Sequence, residues 1–184
     1  MGFNLFGKKE KGSVFSDRAF MNSAGKLKAC IELAKNDPST VFVCWFPDTL
    51  RNFRSLFQEN GLDEMRVMDA RHLHSAMIPN KNVVFAEHYP IHEKELNLVQ
   101  NWEQKKFTVF SAMDEPLFKL FGSDKMLPLM KLLGMKEDEP IEHSMVSKSI
   151  VKAQDKIAAK VGIERPANSQ QEWMLVNLPD SNLH

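Results

Sequence analysis

The sequence has only two cysteines, no net charge and no long hydrophobic run. Cys30 and Cys44 fall in segments predicted as a helix and a strand, which argues against a disulfide framework and indicates reduced thiols in a cytoplasmic protein. Lys and Arg number 24, as do Asp and Glu, so no overall field attracts nucleic acid. No apolar run approaches the roughly 18 residues that a transmembrane helix needs. We therefore expect neither a transmembrane segment nor a nucleic-acid partner.

The start of the chain also lacks a targeting signal. It has no apolar core followed by a cleavage site, as a signal peptide would, and Phe6 stands where the myristoylation pattern requires Ser or Thr. Phe3, Leu5 and Phe6 beside Lys8 could make a weak contact with a membrane surface. The simpler expectation is an unordered terminus, and we predict a flexible segment over residues 1–20.

The sequence does contain alternating strand and helix signals along its 184 residues, of which 43% are hydrophobic. Runs of β-branched and aromatic residues predict strands over 41–46, 65–69, 82–86 and 107–111. Helical spacing and capping residues predict helices over 23–36, 48–61 (with Asp48 as the cap), 93–102, 114–121, 127–133 and 144–161. Such alternation is typical of a parallel α/β sheet. Pro128 indicates that its helix does not run unbroken from Ser123.

The most specific pattern lies in residues 108–161. It contains Phe-Gly-Ser-Asp, Leu-Gly-Met-Lys and Glu-Pro-Ile-Glu-His in that order. The residues that carry it are Phe121, Gly122, Ser123, Asp124, Leu133, Gly134, Met135, Glu139, Pro140, Ile141, Glu142 and His143. This stretch resembles SecA, the motor ATPase of bacterial protein export, where its second nucleotide-binding fold ends and its scaffold helix begins.

The resemblance implies a fold and a division of the chain. Over residues 40–104 only the order of elements is similar, and it matches the second motor domain of superfamily 2 helicases. The implied fold is an incomplete parallel-sheet RecA-like domain, of the P-loop NTPase and helicase C-terminal type, followed by a C-terminal helical extension. We place this α/β domain in residues 21–135, a loop and scaffold-like helix in 136–165, and a tail in 166–184.

The motor's catalytic segments are missing from the sequence. No G-x-x-x-x-G-K-[ST] occurs, and the nearest approach has Leu27 where a hydroxyl must hold magnesium. The resemblance implies a Gly-Arg-x-Gly-Arg segment before the last strand, but residues 100–106 contain neither residue type. Lys105 and Lys106 lack the forked geometry of an arginine finger. Residues 71–80 are also too short for the family's second coupling segment. We therefore predict no ATP hydrolysis and no cofactor.

Histidines and lysines offer two further candidate sites. His72, His74, His88 and His92 could converge at one end of a sheet and bind zinc, but their spacing matches no closed structural site. The lysines of the last helix recur every four residues as Lys148, Lys152, Lys156 and Lys160. They could meet an acidic partner, or they could form a solvated face whose stems cover apolar surface.

These observations predict a stand-alone, degenerate SecA-like protein of the cytoplasm that acts by protein–protein interaction. An export ATPase and a second copy of the chain are the candidate partners. Two alternatives stay open. The chain could complete or modulate an ATPase site on a partner, with Lys105 and Lys106 supplying charge, or it could be a metal-dependent enzyme that uses the four histidines. The apolar run at 173–176 is either an edge strand or a partner-binding segment.

Overall fold

The computed structural model describes residues 14–120, 122–132 and 134–178. Within them, five parallel strands form one sheet in the order β1-β5-β4-β2-β3. The strands are β1 (Phe15–Phe20), β2 (Thr40–Cys44), β3 (Val67–Asp69), β4 (Asn82–Phe85) and β5 (Phe107–Ala112). The helices are α1 (Ser23–Asn36), α2 (Pro47–Glu59), α3 (His92–Val99), α4 (Pro116–Lys119), α5 (Ser123–Leu132), α6 (Ser144–Ala158) and α7 (Gln170–Asn177). Short 3-10 helices at Glu64–Arg66, Ala70–His72 and Ser75–Met77 lie before and after β3.

Helices cover both faces of the sheet, as the buried runs of a parallel sheet require. On one face, Cys30 of α1 and Phe57 of α2 pack with Phe42 and Phe110 of the sheet. On the other face the buried side chains come from α3, α4, α6 and α7. They are Val99, Leu117, Ile150, Ile157, Trp173 and Met174. The predicted α/β class is confirmed, and the arrangement is consistent with an incomplete RecA-like fold followed by a helical C-terminal part.

The prediction of a flexible segment over residues 1–20 is wrong in its last third, because Phe15–Phe20 form an edge strand. β1 pairs in parallel with β5 along its whole length. The sequence signal was weak, since Ser16, Asp17 and Arg18 interrupt the apolar residues. Asp17 is nevertheless buried, and its partner comes from a distant part of the chain.

Two further local predictions are corrected. α5 runs unbroken from Ser123 through Pro128, which lies at an exposed position where the ring meets solvent. The run at 173–176 belongs to helix α7 and not to an edge strand. Ser169 caps that helix by accepting a hydrogen bond from the amide of Glu172. The buried stripe of α7 is half polar, with Gln170 and Asn177 beside the aromatic core, so hydrophobic periodicity did not reveal it.

Candidate functional site

The strand order places one crevice at the carboxyl edge of the sheet. The chain leaves β2 through α2 on one face, and it leaves the neighbouring β4 through α3 on the other face. The loops after β2 and β4 therefore diverge, and such a point is where open α/β sheets bind their ligands. The candidate site is the crevice between residues 45–49 and 86–89.

The chain's own Glu87 fills this crevice. Its Oε1 accepts hydrogen bonds from the amides of Trp45, at 3.0 Å, and Phe46, at 3.2 Å. Its Oε2 accepts one from the hydroxyl of Thr49, at 2.8 Å. Glu87, from the loop after β4, thus holds the two residues that lead into α2 and the Thr49 side chain of its first turn. Phe46, not the predicted Asp48, is the N-cap residue. A carboxylate occupies the place where a helix start favours an anion.

Lys26 and Glu115 complete a buried cluster with Glu87. The Lys26 ammonium forms an ion pair with Glu115 and donates a 2.8 Å hydrogen bond to the carbonyl of Ala86. Burial raises the pKa of Glu87 to about 7, although Lys26 and the Thr49 hydroxyl favour its ionised form. Burial alone would lower the pKa of Lys26, but the pairing with Glu115 raises it above the usual value. The single positive charge of Lys26 therefore lies close to two acidic side chains, Glu87 and Glu115.

The start of α1 is filled in the same way. The carboxylate of Asp114 accepts hydrogen bonds from the amide of Ser23, at 3.0 Å, and from its hydroxyl, at 2.7 Å. The side chain of Asn22 accepts another from the amide of Gly25, at 2.8 Å. The starts of α1 and α2, two of the helices that begin at the carboxyl edge, are thus occupied by groups of this chain.

The C-terminal segment closes the same edge from the other face. The amide of Asp48 donates to the carbonyl of Asn168, at 2.9 Å. The Gln170 side chain accepts from the amide of Leu117 and donates to the carbonyl of His88, both at 2.9 Å. Because Trp173 is fully buried, α7 is part of the core and not a loose cover.

An open cleft of about 390 Å³ remains beside the cluster, between α1 and α2. Ser23, Lys26 and Thr49 line its inner end, and Asn52 and Glu59 lie along its walls. This cleft is the side from which water can reach the ammonium of Lys26 and the hydroxyl of Thr49.

The four histidines do not come together as the alternative metal site would require. Exposed His72 lies 3.3 Å from Asp69, whereas His88 is buried with its Nε2 2.5 Å from Asp17 and its Nδ1 2.9 Å from Glu95. Burial alone would lower the pKa of His88, but the two carboxylates raise it to about 10. An imidazolium that donates from both nitrogens cannot ligate a metal. The described residues contain no group of three or more potential metal ligands.

The Asp17–His88–Glu95 group ties the scaffold-like helix to the sheet. Gln154 of α6 donates to Glu95, at 3.0 Å, and to the carbonyl of Tyr89, at 2.6 Å. Burial alone would raise the pKa of Glu95, but His88, with further hydrogen bonds from His92 and Gln154, lowers it to about 2. The three side chains are almost wholly buried. We call this charged group the brace.

Residues 137–142, which belong to the SecA-like pattern, lie along the edge of β1 and the start of α1. Ile141 exchanges two backbone hydrogen bonds with Ala19, at 2.8 and 3.1 Å. Glu142 pairs with Arg18 at 2.6 Å, and a Cβ built on Gly25 would overlap the carbonyl of Glu137. The segment from Glu137 to Glu142 is therefore docked by its backbone, while its charged side chains face solvent.

The other family-matched residues have structural roles where the structure describes them. His143 is the N-cap of α6 and accepts from the amide of Met145, at 3.1 Å. Ser123 is buried and donates to the carbonyl of Met113, at 2.6 Å. Gly122 and Gly134 have φ values of 80° and 81°. Phe121, Leu133 and the side chain of Asp124 lie outside the described residues.

The predicted lysine surface is exposed along α6 and just beyond its end. Its members are Lys148, Lys152, Lys156 and Lys160. Asp155 is also exposed between them, and Val151 lies half-buried in a shallow groove beside Lys148 and Lys152. Lys105 and Lys106 lie elsewhere, at the amino edge of the sheet before β5, and Lys105 donates to the carbonyl of Trp102.

Comparison with known proteins supports the resemblance for part of the chain only. A 51-residue stretch is 49% identical to the protein translocase subunit SecA of Acidithiobacillus ferrooxidans, 45% to that of Ehrlichia canis and 43% to that of Psychrobacter cryohalolentis. Each match covers 28% of this chain and 6% of the relative. No protein-family model matches the chain. Among the described residues, no helix has the length and apolar character to cross a membrane. The chain thus contains a SecA-like region.

Proposed function

We propose that this chain is a SecA-like protein that acts by binding another protein in connection with protein export, without hydrolysing ATP. The filled carboxyl edge carries this proposal. Glu87 and Asp114 occupy the starts of α2 and α1, where a phosphate could otherwise bind, and α7 closes the edge. A nucleotide would have to displace these carboxyl groups from the donors that they hold, and in their ionised form they would repel its phosphates. The translocase relatives supply the link to export.

The proposal predicts that MgATP and MgADP leave the thermal midpoint unchanged within about 1 °C. A nucleotide present at a hundred times its dissociation constant would stabilise the fold by about 2.7 kcal/mol, which in a chain of this size raises the midpoint by about 5–10 °C. Differential scanning fluorimetry measures the shift, with a SecA ATPase as the positive control. A reproducible rise of several degrees would contradict the proposal.

We further propose that the lysine surface of α6 takes an acidic partner segment. Charge reversal in a Lys152→Glu, Lys156→Glu double variant should then weaken binding to purified SecA ATPase, or to a second copy of the chain, by about tenfold or more. Biolayer interferometry measures the first case and sedimentation equilibrium the second.

The matched control reverses Lys35 and Lys81, which are exposed elsewhere on the molecule. It has the same net charge as the test variant, so an equal loss of binding in both would reject the lysine surface. If the unmodified chain binds neither partner at micromolar concentration, the candidate partners are wrong. A change in SecA ATPase rate on adding the chain would favour a regulator of a partner's ATPase site.

A further inference from the structure

The buried cluster of Lys26, Glu87 and Glu115 has one positive charge for two acidic side chains. Lys26 comes from α1, Glu87 follows β4 and Glu115 precedes α4. The Lys26 ammonium is ion-paired with Glu115, so the ionised form of Glu87 leaves this largely buried cluster with a net negative charge. A buried charge without its own counter-ion favours the uptake of a proton.

The hydrogen bonds of Glu87 determine what the binding of that proton would change. Its Oε2 accepts the hydroxyl proton of Thr49, while its Oε1 holds the amides of Trp45 and Phe46. A proton bound to Oε2 makes that oxygen a donor and a weaker acceptor, so the Thr49 hydroxyl is held less firmly and can rotate to accept. The cleft beside Thr49 gives water access to the rotated hydroxyl. The neutral carboxyl also holds the two amides more weakly than a carboxylate does.

We propose that Glu87, Lys26 and Glu115 form a proton-operated latch on α2. Ionised Glu87 holds the first turn of α2 against the loop after β4, and one proton taken from water onto its Oε2 releases Thr49 and loosens that hold. The inference goes beyond the proposed function, because it concerns the carboxyl edge and involves no partner. Burial raises the pKa of Glu87 to about 7, so the change falls near neutral pH.

The neighbouring titratable groups do not account for such a change. Burial raises the pKa of Cys30 to about 12 and raises that of Cys44 well above its usual value, so both thiols stay protonated near neutral pH. Lys26 stays charged because its pKa is raised. His88 faces the opposite side of the sheet, and its pKa of about 10 keeps it charged.

The test follows the amide resonances of Trp45, Phe46 and Thr49 in ¹⁵N-labelled protein between about pH 5.5 and about pH 8.5. We expect the three to shift together with one midpoint near 7, and we expect no such midpoint in Glu87→Gln. Flat shifts in the unmodified protein would overturn the latch. A midpoint that survives in Glu87→Gln would assign the titration to another group, such as a histidine, and would also overturn it.

A second pair of variants keeps the test decisive if Glu87→Gln fails to fold. Glu115→Gln leaves Lys26 with a single carboxylate, so the midpoint should fall by about one pH unit. Thr49→Val removes a donor to the ionised form, so the midpoint should rise. Glu59→Gln, an exposed acid of the same cleft, should leave it unchanged. An unchanged midpoint in Glu115→Gln would reject the shared cluster.

Discussion

Replacement of His88 by alanine should lower the free energy of unfolding by about 3–5 kcal/mol at pH 7. The imidazolium lies 2.5 Å from Asp17 and 2.9 Å from Glu95, and all three side chains are buried. Its removal leaves two carboxylates enclosed without a cation. Small proteins are stable by about 5–15 kcal/mol in total, so this loss would remove a large share of the stability of the fold. Urea unfolding followed by circular dichroism measures the loss.

The pH dependence distinguishes this charge effect from a simple loss of packing. The pKa of His88 is raised from its ordinary 6.5 to about 10. Its contribution to stability is therefore complete below about pH 6.5 and is lost as the pH rises through about 10. The difference in unfolding free energy between the unmodified protein and His88→Ala should therefore decrease steadily between about pH 7 and pH 10. A packing defect alone would leave this difference constant.

His74→Ala is the matched control, because His74 is exposed on the loop after β3. We expect it to change the free energy of unfolding by less than about 0.5 kcal/mol. A loss below about 1 kcal/mol in His88→Ala, or a difference that does not vary with pH, would show that the brace does not depend on a charged histidine.

The same brace explains why the sequence predicted four strands of the sheet and missed β1. Continuous apolar runs such as 41–46 reveal a buried strand without any knowledge of its neighbours. Phe15–Phe20 has two charged residues in its middle, Asp17 and Arg18. Asp17 is acceptable in its buried position only because His88, 71 residues away, lies opposite. Local patterns do not contain that pairing.

The contacts in the crevice at the carboxyl edge could not be predicted from the sequence for the same reason. The sequence places Glu87 directly after a buried strand, but nothing in it shows that β4 lies beside β2. The three donors to Glu87 follow from that strand order. Lys26 precedes Leu27 in the segment that fails the phosphate-loop pattern, and nothing local in the sequence shows that its partner is Glu115. Helix positions such as Ser23–Asn36 were predictable because their signals are local.

The segment that carries the SecA-like pattern is packed against β1 and α1. Its backbone pairs with Ala19 of β1, and its Glu137 carbonyl lies against Gly25 of α1. Further on, Gln154 of α6 binds the Glu95 end of the brace. This segment is therefore held by contacts to β1, α1 and Glu95 of α3. Its exposed side chains are the ones that a partner could recognise. This is the physical basis for proposing a binding role.

Replacement of Trp173 by alanine should cost about 3–5 kcal/mol of unfolding free energy and lower the thermal midpoint by about 10 °C. The indole is fully buried, donates a 3.0 Å hydrogen bond to Glu164 and packs edge-on against Tyr89. Leu175→Ala on the same helix is the control. Leu175 is 53% exposed, so its truncation should cost less than about 0.5 kcal/mol.

Hydrogen exchange in the folded Trp173→Ala variant tests whether α7 closes the carboxyl edge. The amides of Leu117 and Asp48 donate to Gln170 and Asn168, so loosening of α7 should speed their exchange more than that of amides in α1. Unchanged exchange at these two positions would mean that α7 stabilises the core without closing the edge. Faster exchange at these two amides, together with no thermal shift of the variant on adding MgATP, would show that Glu87 and Asp114 keep a nucleotide out even when α7 is loosened.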